Sequence, residues 1–180
     1  MKPLLSSILL AGLLAGCSSP QVTTDFAEGT DFTAFRTFQY RDSTNTLAST
    51  SPLAHQRIVN AIRGGMVSSG LSEVNENPDV FVTYYGSIDH QTRFHTTYSG
   101  VSNWGGPRRH SSSMGFGATS STTRATTVTQ GTLVIDVWDA SRNAMVWRSV
   151  ATSALSSNPE QNTRAINDSV EAAFRQFPPK

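Results

Sequence analysis

Four groups of side chains in this sequence have chemistry to offer. Cys17 is the only cysteine among 180 residues, and it follows Leu14-Ala15-Gly16 at the end of an apolar run. A thiol there can be alkylated. With no second cysteine, internal disulfides and cysteine-rich metal sites are excluded. His90 and His95 stand five residues apart in a stretch that reads as a strand, which sends them to opposite faces. Zinc needs three or four converging ligands. Nothing in the sequence brings His55 or His110 to them, so they read as surface histidines and no metal is expected. Asp136, Asp139 and Arg148 contain the makings of an acid–base set, but that work needs shifted carboxylates in a cleft. A cross-strand pair of Asp136 with Arg148, and a turn role for Asp139, explain the three with less. Trp104, Arg108 and Arg109, with His110 beside them, form the fourth group. Exposed Trp and Arg are frequent at interaction hot spots, and Arg pairs with phosphates or anionic sugars. The plainer alternative is a solvated loop with incidental aromatics. No serine sits in a Gly-x-Ser-x-Gly setting, and no phosphate loop or dinucleotide fingerprint occurs. No catalytic residue and no cofactor are expected, so the chain reads as a non-enzyme.

The residues before Cys17 make a tripartite signal: Lys2, then a leucine-rich run through Leu14, then the small residues Ala15 and Gly16. The run is too short to cross a bilayer, which takes about 20 residues. Leu14-Ala15-Gly16-Cys17 resembles the lipobox of bacterial lipoproteins. That resemblance implies removal of residues 1–16 as a signal peptide, a thioether diacylglycerol on Cys17 and amide acylation, typically palmitate, of the new N-terminus. It makes the membrane a partner through Cys17. Ser18 follows, where an Asp commonly retains Gram-negative lipoproteins in the inner membrane. The outer membrane, facing the periplasm, is therefore expected; a Gram-positive source would place the anchor in the cytoplasmic membrane.

Loss of Lys2 with the leader leaves the 14 basic and 13 acidic residues of the precursor in balance. A neutral chain has no field to draw nucleic acid. Residues 17–30 read as the lipidated cysteine and a small, polar tether. Residues 31–180 read as one domain, long enough for a single core.

Within that domain the hydrophobic period switches between two and nearly four. Residues 36–41 read as a first strand, and 42–51 as a Ser/Thr/Asn-rich loop. Ser51-Pro52 opens a helix carrying Ile58, Ile62 and Met66, with Gly70 at its C-cap. Gly64-Gly65 interrupts this helix and reads as close packing on a sheet rather than a hinge. Val80 begins a strand that extends toward Tyr98. The tract 99–127, rich in Ser, Thr and Gly, reads as a long mobile loop. Residues 128–138 and 145–148 then form a hairpin in which Asp136 faces Arg148 and Trp138 faces Val146. Asn158-Pro159 starts a last helix with Ile166, Val170 and Phe174 on one stripe, closed by Phe177-Pro178-Pro179. The order is β-α-β-β-β-α. The economical solution is an α+β fold: a mostly antiparallel sheet of about four strands or more, with two amphipathic helices packed on one face.

Several strings together resemble a bacterial lipoprotein family known as domain of unknown function 4136. They are Asp31-Phe32, Thr37-Phe38-x-Tyr40, Arg57-Ile58, Ala61-Ile62, Gly70-Leu71 and Pro78-Asp79-Val80-Phe81-Val82-x-Tyr84. More specific are the run from Gly131 through Asp139 and Val146-Trp147-Arg148, and Phe177-Pro178-Pro179 closes the match. Ser149 departs from a glycine often found after the Trp-Arg pair. The resemblance implies an α+β envelope domain and carries no catalytic residues. The expected function is a non-enzymatic binding or interaction module, through the loop of Trp104, Arg108 and Arg109, with an envelope protein or polysaccharide as partner. The alternatives are a pocket for a small apolar ligand between helices and sheet, or an envelope-polymer hydrolase.

Overall fold

Alternation sorts the central strands into two faces. Val80, Val82 and Tyr84 are buried, while Phe81 and Thr83 between them are half-buried and Tyr85 is exposed. The computed structural model describes residues 19–44, 47–100 and 119–179, with only the backbone at 100, 119 and 120. Six strands form one sheet: β1 (Gln21–Phe26), β2 (Thr37–Tyr40), β3 (Ser72–Glu73), β4 (Val80–Gly100), β5 (Thr119–Asp139) and β6 (Ala144–Leu155). Their spatial order is β1-β6-β5-β4-β2-β3. β2 runs parallel to both β3 and β4; the other pairings are antiparallel.

Three helices are described: α1 (Leu47–Thr50), α2 (Pro52–Ser68) and α3 (Pro159–Phe174). α2 lies beside β2 and β3, α3 beside β6 and β1, and the two helices pack on each other. Proline opens both long helices, where its missing N–H costs nothing. At α3 the Asn158 side chain accepts the Glu160 N–H at 2.9 Å. The chain after α2 reverses through Gly70 at φ +92°, a conformation glycine adopts without penalty.

The core fills the space between sheet and helices. Phe38, Val82, Ile135, Val137 and Trp147 meet Ile62 and Met66 of α2 and Val170, Ala173 and Phe174 of α3 in one apolar cluster. Trp147 anchors one end. Its ring centroid lies 5.9 Å from that of Phe174 and 5.1 Å from Phe177. Phe32 joins at 5.9 Å from Phe177, held by a 3₁₀ turn that Asp31 caps by accepting the Thr33 N–H at 3.0 Å. Ser149, at the position that departs from the glycine of the resemblance, is 1% exposed, with its hydroxyl unpartnered among the described residues.

Five expectations are corrected. Gln21–Phe26 is a strand rather than part of a polar tether over 17–30, because the edge of β6 supplies the partner that composition cannot reveal. Residues 99–100 and 119–127 belong to β4 and β5 rather than to a loop, and 101–118 lie outside the described residues. Trp138 faces Met145, not Val146, because a bulge between Val137 and Trp138 shifts the register by one residue. β3 and α1 were not anticipated; two and four residues are too short for a period to show. The Gly64-Gly65 pair, expected to pack closely on the sheet, does so only at Gly65, and against α3. A Cβ on Gly65 would collide with the Phe174 ring, whereas Gly64 faces open space.

Asp79 stitches the sheet together where β2 and β4 begin. Its carboxylate accepts the N–H groups of Arg36 and Thr37 at 2.8 and 2.9 Å and the Thr37 hydroxyl at 2.9 Å. The Asp79 N–H donates back to Thr37 Oγ1 at 3.0 Å. Asp139 does the same for the β5–β6 turn, accepting from Ser141 and Arg142. Hydrogen bonding holds both carboxyls below their ordinary value of 3.8: for Asp79 chiefly the Arg36 N–H, for Asp139 chiefly the Ser141 hydroxyl.

Two stability predictions follow from these contacts. Gly64→Ala should raise the unfolding free energy by up to about 1 kcal/mol through helix propensity, while Gly65→Ala should lower it by about 1–3 kcal/mol through overpacking against Phe174; paired urea titrations measure both. For Asp79, the folded pKa lies below the unfolded value of 3.8, so its stabilisation is complete above that pH and is lost as pH falls through the folded value. Wild-type stability should therefore decline below pH 3.8. Asp79→Ala should be weaker by about 1–3 kcal/mol at neutral pH and show a flatter acid limb in denaturant titrations across the acid range.

Candidate functional site

The helices stop short of the sheet's far end, and the features that could bind something gather there. β6 leaves β5 at the pairing of Leu155 with Thr129. β2 pairs with β4 only as far as Val82. Beyond these limits β4 and β5 continue as a two-stranded ribbon, paired residue by residue to Gly100 and Thr119. Thr96 and Thr123 hydroxyls meet across it at 3.0 Å, and His90 Nδ1 lies 3.1 Å from the Thr129 hydroxyl. β-Branched threonines suit such a pleated surface even without a core beneath them. Phe94 is 70% and Tyr98 72% exposed along it.

At the ribbon's base a pocket of about 160 Å³ opens between helices and sheet. Leu47, Ile58, Leu133, Leu155 and Ile166 supply apolar walls; Gly86 and Gly131 lie in its lining. Both glycines face the side chains of flanking leucines, Leu47 over Gly86 and Leu155 over Gly131. Any Cβ there would displace those leucines. Polar groups at the lining include Ser51, Thr132 and Asn162.

A polar chain that the sequence did not disclose lies on the β2 side of α2. His55 Nδ1 is 2.7 Å from the Tyr84 hydroxyl, and its Nε2 is 3.7 Å from Asp42 Oδ1. The Tyr40 hydroxyl donates to the same Asp42 oxygen at 3.0 Å. Tyr84 is 2% exposed, and burial pushes its pKa up to about 12. Burial, then the Asp42 carboxylate, pushes Tyr40 up as well. These phenols stay protonated, and that of Tyr40 donates to Asp42. The chain ties the segment after β2 to α2 and β4. His55 is separated from Tyr84 by 29 positions, so only the packing of α2 on β4 could reveal it.

The residues singled out in the sequence are dispersed. Asp136 and Arg148 face each other on neighbouring strands, on the sheet face away from the helices, and form a bidentate pair at 2.7 and 2.7 Å. The Asp136 hydrogen bond raises the Arg148 pKa. Asp139 sits in the turn below them, not beside them in a cleft. His90 and His95 lie on opposite faces of the ribbon, and no group of three or more potential metal ligands occurs among the described residues. Cys17, Trp104, Arg108, Arg109 and His110 lie outside the described residues. No described helix is long and apolar enough to cross a membrane.

Comparison with known proteins shows the same architecture elsewhere. No curated protein matches this chain. A PDZ domain protein from Parabacteroides distasonis shares the fold at a TM-score of 0.55 and 15% identity; the match covers 90% of this chain and 37% of that one. This chain thus spans little more than a third of that protein. A DUF4136 family protein from Bacteroides thetaiotaomicron matches at a TM-score of 0.52 and 15% identity, over 90% and 97% of the two chains. A minor lipoprotein from Acinetobacter baumannii overlaps more loosely, at 0.36 and 8%, over 79% and 92%. The family model described as "Domain of unknown function (DUF4136)" matches residues 22–179, nearly the whole of the folded domain, and the chain belongs to that family.

Proposed function

We propose that this chain is a lipid-anchored, non-enzymatic binding module of the bacterial envelope, held in the outer membrane through Cys17 and facing the periplasm. The observation that carries the reading is the ribbon. Its two strands extend past every described element of the body, leaving open strand edges of the kind proteins otherwise cover or blunt. The described ribbon runs to Gly100 and Thr119, and the sequence between those two residues carries Trp104, Arg108 and Arg109. An envelope protein or an anionic polysaccharide is the partner that such side chains suit. The polar clusters of the body support a non-catalytic role: the Asp136–Arg148 pair, the Asp79 and Asp139 carboxylates and the Tyr84 phenol are each engaged in structural hydrogen bonds.

The pocket at the ribbon's base favours a second reading, a site for a small apolar ligand. Its volume of about 160 Å³ lies below the roughly 300–1,000 Å³ of ordinary ligand sites and near that of a cavity that accepts benzene. It therefore ranks second.

Two experiments test the proposal. Cys17→Ala should release the protein into the soluble envelope fraction, whereas unchanged membrane retention would remove the anchor. In crosslinking from intact envelopes, joint replacement of Trp104, Arg108 and Arg109 by alanine should abolish a crosslinked species that the wild type forms. Persistence of the same species would place the binding surface elsewhere.

A further inference from the structure

The two faces of the ribbon differ in kind. One carries Ile88, Phe94 and Tyr98 among threonines and His90, with no Asp, Glu, Lys or Arg among its described residues. The opposite face carries Asp89, Arg93, His95 and, from β5, Arg124. The uncharged face continues the helix-covered face of the sheet: Val80, Val82 and Tyr84 are buried beneath the helices, and Ile88, next but one in that row after Gly86, is 51% exposed. No described element covers it beyond that point.

The chain leading to Cys17 bounds what can. Gln21 pairs with Thr152, which lies in the same row of the sheet as Thr132 and Ser87, just before β6 leaves β5 at Thr129 and the ribbon begins. β1 runs from that row toward Trp147, so it enters the sheet from the ribbon side. Cys17 precedes Gln21 by four residues, and these span at most about 14 Å. From Ser87, β4 continues to Gly100, a run of about 43 Å at 3.3 Å per residue. From that row β4 thus reaches about three times as far as the tether can, on the same side.

We infer that the uncharged face of the ribbon docks on the bilayer that holds the Cys17 anchor, with Phe94 and Tyr98 at the boundary between headgroups and acyl chains. The inference rests on the anchored reading above. Aromatic side chains concentrate at this depth. The threonine hydroxyls beside them stay within reach of water, and Arg93 and Arg124 on the other face remain solvated. The ribbon lies on the membrane rather than crossing it, because its open strand edges would carry unpaired backbone groups into hydrocarbon. Docking of this kind fixes the orientation of the body above the lipid, which a flexible tether alone does not.

The test uses the full acylated protein in vesicles of phosphatidylcholine and phosphatidylglycerol. With Cys17 in thioether linkage, a cysteine placed by Phe94→Cys, or by Tyr85→Cys on the other face of the body, is the only thiol and takes an environment-sensitive nitrobenzoxadiazole label. Both positions are more than half exposed, at 70% and 54%, so both variants should fold. Label at position 94 should brighten on vesicle binding and lose about half its emission to nitroxide-bearing acyl chains, as expected for a group 5–10 Å below the surface. Label at position 85 should do neither. Protein that floats with the vesicles while position 94 stays unquenched overturns the docking and leaves the anchor standing. Brightening without quenching overturns it too, and assigns the face to a second copy or to another protein. Uptake of label by the unsubstituted chain shows a free Cys17, and both the anchor and the docking then fall.

Discussion

A helix advances about 1.5 Å per residue and a strand about 3.3 Å, and that difference governs this molecule. α2 has 17 residues and α3 has 16, so each covers about 25 Å of sheet. β4 and β5 have 21 residues each, or about 69 Å. Two helices of this length cannot cover two strands of that length. Coverage ends near Leu133 and Gly86. On one side of this limit lies the apolar core; on the other, β5 keeps β6 as far as Thr129, and beyond that β4 and β5 have only each other among the described elements.

The covered part is fastened at its far end. Trp147, Phe174, Phe177 and Phe32 form a chain of ring contacts that joins β6, the end of α3 and the turn before β2. Asp79 and Asp139 lock the adjoining turns by accepting backbone N–H groups that would otherwise be orphaned. The body thus acts as a rigid base. Its opposite end carries a shallow apolar pocket, the start of β1 and the root of the ribbon together.

Local pattern revealed what local forces decide. Ser51-Pro52 and Asn158-Pro159 announced both long helices, because capping and the fixed φ of proline act within a few residues. The apolar alternation from Val80 and from Gly131 announced two central strands, because burial on one face imposes a period of two. The Asp136–Arg148 pair followed from the short turn between β5 and β6. The same reasoning failed where the partner is remote. Gln21–Phe26 is small and polar, and becomes a strand only because β6, more than a hundred residues later, offers an edge. Residues 119–127 look like a solvated tract, yet pair one for one with β4. His55 meets Tyr84 only across the α2–sheet contact.

Taken alone, the order of residues determined the anchor motif, the family strings, both amphipathic helices and the α+β class, since each depends on spacing along the chain or on which face is apolar. Tertiary structure decided the rest: that residues 99–100 and 119–127 of the expected loop are the flank of a ribbon, that Gly65 makes room for Phe174, and that the uncharged row of Ile88, Phe94 and Tyr98 emerges beside the start of β1. Those outcomes depend on how far each element reaches in space, and rise per residue becomes distance only once the elements are packed against one another.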